Sequence, residues 1–361
     1  MKAGGGCVRI SVSKILHERI DNQGRGRMGS KNKNRTKIIG AAAAAGAALG
    51  YTAVCNQLFD FTVARKSLWS YGGKKKKDGK AKAVPLDRYG RIPEQDQEWL
   101  KNREQDELEI CSTVDDTPLF GRYLRCENPK RIILCAHGYR TNSLKDFAGA
   151  ARWLHENNCD LLTIDQRGCG KSGGEYITFG AREKYDVLDW LDFIESHNRK
   201  GLPVYLYGVS MGAATVSCAS GLTLPPNVRG MIADCGYTSM KDICTLCLKK
   251  WFHLPAFPFM QSFDRRCQRK AHFGMQEADA EHALRKCRIP SLFIHGTADK
   301  FVPPSHAIRN YQACGAADKD ILWIDGAEHA VSYYENPAEY RSALKNFFDR
   351  TEHRNPRETE A

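Results

Sequence analysis

Residues 203–216 read Pro-Val-Tyr-Leu-Tyr-Gly-Val-Ser-Met-Gly-Ala-Ala-Thr-Val: an apolar β-type run, a serine framed by two glycines, and a small-residue run suited to a helix. That order implies strand, tight turn and helix, with Ser210 at the bend. Glycines two positions before and after the serine, Gly208 and Gly212, let the backbone fold sharply enough to lift the hydroxyl over the sheet edge. A helix starting at Met211 aims its first unpaired N–H groups at whatever the hydroxyl attacks. A plain βα turn is the structural alternative, so the rest of the chain must say which applies.

Around this bend the pattern alternates between strand and helix. Residues 108–112 and 119–125 alternate as a hairpin does, with Asp115 and Asp116 at its turn. Strands are expected at 131–138, 160–165, 203–207, 228–233, 290–295 and 321–324, and helices at 144–158, 182–197, 305–314 and 337–351. Such alternation requires an α/β fold with a mostly parallel central sheet and helices on both faces. Ligands in such sheets gather at the carboxyl ends of the strands. Ser210, Asp299 and His329 each follow a predicted strand.

A serine hydroxyl needs a base to take its proton and a carboxylate to hold that base in the right tautomer. His329 is the candidate base and Asp299 the candidate acid. As isolated residues they would equally suit a loop histidine and a helix cap; their chain order Ser, Asp, His is what gives them meaning. His295 ends its strand too early to reach the serine, and Asp325, four residues before His329, is a backup acid. The backbone N–H groups of Tyr139 and Met211 are the expected oxyanion donors, with His137 and Gly138 supporting the first. The Gly-rich stretch 165–174 lacks the G-x-x-x-x-G-K-[ST] spacing of a phosphate loop. No cofactor or metal site is expected; Cys244 and Cys247 have no second pair at zinc spacing.

From about residue 107 to 350 the chain resembles the α/β-hydrolase superfamily, in its bacterial serine-aminopeptidase-like branch with a short cap. The likeness rests on His137-Gly138, Asp165-x-Arg167-Gly168-x-Gly170-x-Ser172-x-Gly174, Gly208-x-Ser210-x-Gly212, His295-Gly-x-x-Asp299 and His329. It implies a hydrolase domain over 107–353 with a helical cap over 239–288, and a catalytic triad of Ser210, Asp299 and His329. Members of that branch include esterases, acyl-lipid hydrolases, thioesterases and peptidases. The expected function is therefore a serine hydrolase cleaving an ester or related acyl bond in a small-molecule or lipid-like substrate. An aminopeptidase-like serine peptidase is the alternative, and a catalytically inactive, membrane-tethered interaction protein a third reading. The cap carries Trp251, Phe252, Leu254, Phe257, Phe259, Met260 and Phe263, which suit either an acyl pocket or ordinary packing.

The N-terminal hundred residues are of a different kind. Residues 1–90 hold 19 Lys and Arg against 5 Asp and Glu, a net of +14; the other 271 residues hold 35 against 37, a net of −2. The formal +12 thus belongs to the N-terminal segment, and the near-neutral body offers no nucleic-acid groove. Residues 1–37 are expected to be a disordered basic tail, with Met28 a second candidate start. Residues 38–55 carry no charge, and 38–59 is expected to be an uncleaved membrane anchor with a basic surface-binding flank on each side, against the alternatives of a soluble Ala-rich helix or a signal peptide. Orientation and oligomeric state stay open. Residues 60–106 are expected as a basic linker, with a short helix near 95–104, and 354–361 as a tail. Fourteen unpatterned cysteines, several inside apolar runs, favour a reducing compartment.

Overall fold

The computed structural model describes residues 28–65 and 94–352. They divide into two compact units, 1–53 and 54–361. Helix α1 (Met28–Thr62) supplies all that is described of the first, and from Lys37 to Gly50 its side chains are exposed. The expectation of disorder up to residue 37 therefore needs correcting from Met28 onward: Lys, Arg and Asn are compatible with helix, and the alanine run that follows is the strongest helix former available.

In the second unit, α2 (Glu94–Lys101) leads into the hairpin β1 (Asp106–Cys111) and β2 (Pro118–Leu124), followed by β3 (Arg131–Ala136). Two helices, α3 (Ser143–Asp146) and α4 (Ala148–Glu156), stand where one was expected. The interruption has a cause: the Asp146 carboxylate turns back to accept from the Gly138 N–H at 2.6 Å and the Thr141 hydroxyl at 3.0 Å. Next come β4 (Cys159–Asp165), α5 (Glu183–His197), β5 (Val204–Val209), α6 (Met211–Ala219) and β6 (Val228–Asp234). The cap comprises α7 (Met240–Phe252), α8 (Ala256–Lys270), a 3₁₀ turn and α9 (Ala280–Leu284). The chain closes with β7 (Ser291–Gly296), α10 (Ser305–Ala313), β8 (Lys319–Ile324), α11 (Ser332–Glu335) and α12 (Pro337–Thr351).

The eight strands form one sheet in the order β1-β2-β4-β3-β5-β6-β7-β8. β1 pairs with β2, and β2 with β4, in antiparallel register; every pair from β4 to β8 is parallel. Alternation along the strands sends side chains to opposite faces. Ile133, Cys135, Tyr205 and Tyr207 meet Phe147, Leu154, Tyr340 and Phe347 on one face. Ile132, Leu134, Val204 and Leu206 meet Val187, Trp190, Ala213 and Val216 on the other. A third cluster lies under the cap, where Phe263 and Met260 pack with Met211, Ala214 and Phe179. The mostly parallel sheet with helices on both faces and a helical cap is the expected α/β-hydrolase fold.

The expected linker is not a spacer along its whole length. Cys55, Phe59 and Val63, on successive turns at the end of α1, are buried, Phe59 and Val63 in the cluster under the cap. Leu100 of α2 is likewise buried, and Trp99 meets His155 edge-on at 5.6 Å. Residues 54–65 and 94–105 therefore belong to the body. Their apolar positions by themselves suggest the end of an anchor and a short linker helix, because the partners that cover them lie far away in the chain. Residues 66–93 and 353–361, the rest of the linker and the tail, lie outside the described residues.

Candidate active site

β5 and α6 meet at Ser210, whose φ of 55° and ψ of −112° lie where L-residues are strained. Nothing larger than hydrogen fits at either framing glycine. A Cβ on Gly208 would sit 2.2 Å from the Gly212 carbonyl oxygen, and one on Gly212 would sit 1.8 Å from that of Ala136. The bend is pinned by the Ser210 N–H, which donates to the Asp234 carbonyl at 2.8 Å.

The ends of β7 and β8 bring the other two candidates to this serine. His329 Nδ1 lies 2.7 Å from Asp299 Oδ2, and its Nε2 lies 2.9 Å from Ser210 Oγ. With Nδ1–H donating to the carboxylate, Nε2 is left to accept from the hydroxyl. Asp299 Oδ1 accepts from the N–H groups of Phe301 and Val302, both at 2.9 Å. Burial works against this carboxylate's charge, but the attraction and hydrogen bonds of His329 and His295 outweigh it and hold its pKa well below the ordinary value. Ser210 and His329 each keep 7 % exposure while Asp299 keeps 3 %, so the hydroxyl and imidazole can meet a substrate and the acid is sealed behind them. Asp325 is elsewhere, accepting from the Thr297 hydroxyl at 3.0 Å. His295, fully buried, donates from Nε2 to the Val302 carbonyl at 2.8 Å and lies 3.4 Å from Asp299 Oδ2.

Gly138 lies against the serine, since a Cβ there would be 3.4 Å from Ser210 Cβ. Tyr139 is the next residue along the chain. His137 Nε2 accepts from the Gln166 N–H at 3.0 Å and its Nδ1 lies 2.7 Å from the Gly138 carbonyl, while Gln166 Oε1 accepts from Thr215 of α6 at 2.8 Å. Met211 opens α6, so its N–H precedes any intrahelical acceptor. The stretch 165–174 has the opposite polarity to a phosphate cradle: the carbonyls of Gly170, Ser172 and Gly174 converge on the Arg65 guanidinium at 2.8, 2.5 and 3.4 Å. Its own Arg167 is paired with Asp186 and Asp115. Among the described residues, no group of three or more His, Cys, Asp or Glu is arranged to hold a metal ion.

The cap's large apolar residues differ in their surroundings. Met260 and Phe263 are buried in the core, whereas Trp251 stacks on Phe301 at 5.5 Å, and Phe301 stands edge-on to His329 at 4.8 Å. Phe257 is exposed. Three residues near the site carried no signal of their own in the sequence. Asp146 and Gln166 read as ordinary polar residues, and Asp234 as the end of a strand; Asp234 accepts from Tyr340 Oη at 2.9 Å beneath the serine.

A family described as serine aminopeptidase, S33, matches residues 127–268. The chain is 27 % identical over 227 residues to an uncharacterised protein, YqkD, of Bacillus subtilis, covering 62 % of this chain and 72 % of that one. It is 26 % identical over 248 residues to human monoglyceride lipase, covering 58 % and 81 %. Among solved structures, an esterase of Pyrococcus furiosus superposes with a TM-score of 0.58 at 18 % identity, covering 72 % of this chain and 94 % of that one.

Proposed function

Because the chain belongs to the α/β-hydrolase superfamily, we propose that it is a serine hydrolase cleaving an ester or related acyl bond through an acyl-enzyme on Ser210. One observation carries the reading: a hydroxyl 2.9 Å from an imidazole whose other nitrogen lies 2.7 Å from a buried carboxylate. In the first half-reaction Ser210 Oγ attacks the carbonyl carbon as its proton passes to His329 Nε2. The N–H groups of Tyr139 and Met211 stabilise the resulting oxyanion, and the imidazolium, held by Asp299, returns its proton to the leaving group. Water then attacks the acyl-enzyme with His329 again taking the proton, and Ser210 is released.

The test is labelling by a fluorophosphonate probe together with turnover of p-nitrophenyl esters. Both are lost in Ser210→Ala while the circular dichroism spectrum is kept; undiminished turnover in that variant removes the assignment. The family description favours one second reading, an aminopeptidase, which must anchor a free amino group. Against it, the carboxylates of the cap already have partners: Asp264 accepts from Met275 N–H, Glu277 from Gly274 N–H, Asp279 from His282 N–H, and Glu281 pairs with Arg309. An acyl-chain-length panel beside an aminoacyl-naphthylamide panel separates the two.

We propose in addition that α1 tethers the enzyme to a membrane. Residues 37–62 are long and apolar enough to cross one. Since Cys55 and Phe59 are buried in the body, the lipid-facing part shortens to about residues 38–54, roughly 25 Å of helix, at the short end of what a bilayer core requires.

A further inference from the structure

The end of α1 meets the body at the turn that carries a proposed oxyanion donor. A helix leaves its last carbonyls without intrahelical partners and with partial negative charge. Here those acceptors are filled from residues 139 and 140. Tyr139 Oη donates to the Phe61 and Thr62 carbonyls at 3.2 and 2.9 Å. The Arg140 guanidinium reaches the carbonyls of Phe61, Ala64 and Arg65 at 3.2, 2.5 and 3.1 Å, and its Nε donates to Tyr139 Oη at 2.7 Å.

The acceptors themselves are firmly held. Phe59 and Val63 are buried, the Ile177 N–H donates to the Val63 carbonyl at 2.8 Å, and the Arg65 N–H donates to Glu175 at 2.7 Å. On its other side the turn is held by Asp146, through the Gly138 N–H and the Thr141 hydroxyl. Between these supports Arg140 has a φ of 53°, a left-handed conformation that is costly for arginine and persists only where its surroundings enforce it. Burial, opposed by Arg140, pushes the Tyr139 hydroxyl up to about 12, so it remains a donor across any working pH.

We infer that Arg140 and the terminal carbonyls of α1 form a clamp that positions the Tyr139 N–H over Ser210, which makes Arg140 a positioning residue and the end of the N-terminal helix a part of the active site. The inference rests on the acyl-enzyme reading above. Arg140 is too far along the turn to be needed for nucleophile activation, because His329 and Asp299 are held by other elements. Losing the clamp therefore weakens transition-state stabilisation while leaving the serine reactive and substrate binding largely intact.

The experiment compares full-length wild type, Arg140→Met, Arg140→Lys, Tyr139→Phe and Ser210→Ala, purified in detergent, with active sites titrated by a fluorophosphonate. Per titrated site, Arg140→Met is expected to lower kcat for a p-nitrophenyl ester by about 10- to 100-fold, a share of what loss of a whole oxyanion donor costs. KM stays within about twofold, and affinity for a trifluoromethyl ketone analogue falls by the same factor as kcat. Tyr139→Phe, which keeps the backbone N–H and removes only the hydroxyl, shows a smaller loss of the same kind, and Arg140→Lys recovers part of the activity. A kcat per site and an analogue affinity equal to wild type in both Arg140→Met and Tyr139→Phe overturn the clamp. Should Arg140→Met fail to fold, Tyr139→Phe decides alone by the same criterion. Absence of probe labelling in wild type, or turnover surviving in Ser210→Ala, is a different result: it removes the acyl-enzyme reading and the clamp with it.

Discussion

Asp234 shows how much a single buried carboxyl beneath the serine can matter. Its pKa is raised to about 6, first because burial penalises the charged form; Tyr340, His295, His329 and Ser332 pull the other way. The folded protein thus holds this proton more tightly than the unfolded chain, whose aspartate titrates near the ordinary value of 3.8. The stabilisation this supplies is complete below about pH 4 and is lost as the pH rises to about 6. Asp234→Asn removes that dependence. The stability of wild type relative to the variant, from urea midpoints, should fall by about 3 kcal/mol between pH 4 and pH 7; a difference that does not move with pH refutes the role. The proposed triad carboxylate behaves in the opposite way, its pKa held low, so Asp299 stays ionised throughout the same window.

Among the elements, the end of α1 departs furthest from its sequence-based expectation. Phe59 lies 5.7 Å from Tyr176 and 6.4 Å from Phe263, ring centroid to ring centroid, and so joins the segment after the Gly-rich turn to the cap. Truncating it leaves a hole between three elements that are held in place by different parts of the fold. Phe59→Ala should lower stability by about 3–5 kcal/mol, as large-to-small core changes do, measured by denaturant titration in detergent. A loss under about 1 kcal/mol would mean that this turn is a surface feature. The same docking corrects the view of residues 60–106 as a spacer: residues 60–65 bury Val63 and bond to the body, and residues 94–105 bury Leu100 and set Trp99 against His155.

At the scale of the whole molecule, charge and hydropathy are concentrated at one end of the chain. All of the excess positive charge lies in residues 1–90, where each basic residue near an anionic membrane surface adds about 1 kcal/mol of attraction. Full-length protein should sediment with membranes and resist carbonate. A chain beginning at Val54 should move to the soluble fraction with its probe labelling intact, whereas one beginning at Glu107 should lose labelling and thermal stability together. Soluble, uncleaved full-length protein would remove the tether and leave α1 as an Ala-rich helix. Retained labelling in the shorter chain would show that residues 54–65 and 94–105 are dispensable.

The amino-acid sequence by itself determined the alternation of strands and helices, the bend at Ser210, and the order in which Asp299 and His329 follow it. Each of these is announced locally, by glycines that no other residue can replace or by an acid or a histidine just past an apolar strand. The split between α3 and α4, the burial of Asp234 and the docking of residues 54–65 were decided only by the tertiary structure. The split follows from Asp146 bonding back to Gly138 and Thr141, eight and five residues away, through side-chain geometry that the helical spacing of the apolar residues does not reveal. For Asp234 and residues 54–65 the reason is distance. The partner lies far along the chain, as Arg140 does from Ala64 at a separation of 76 residues, and the groups that Arg140 and Tyr139 meet on α1 are backbone carbonyls, which every residue carries and no sequence pattern distinguishes.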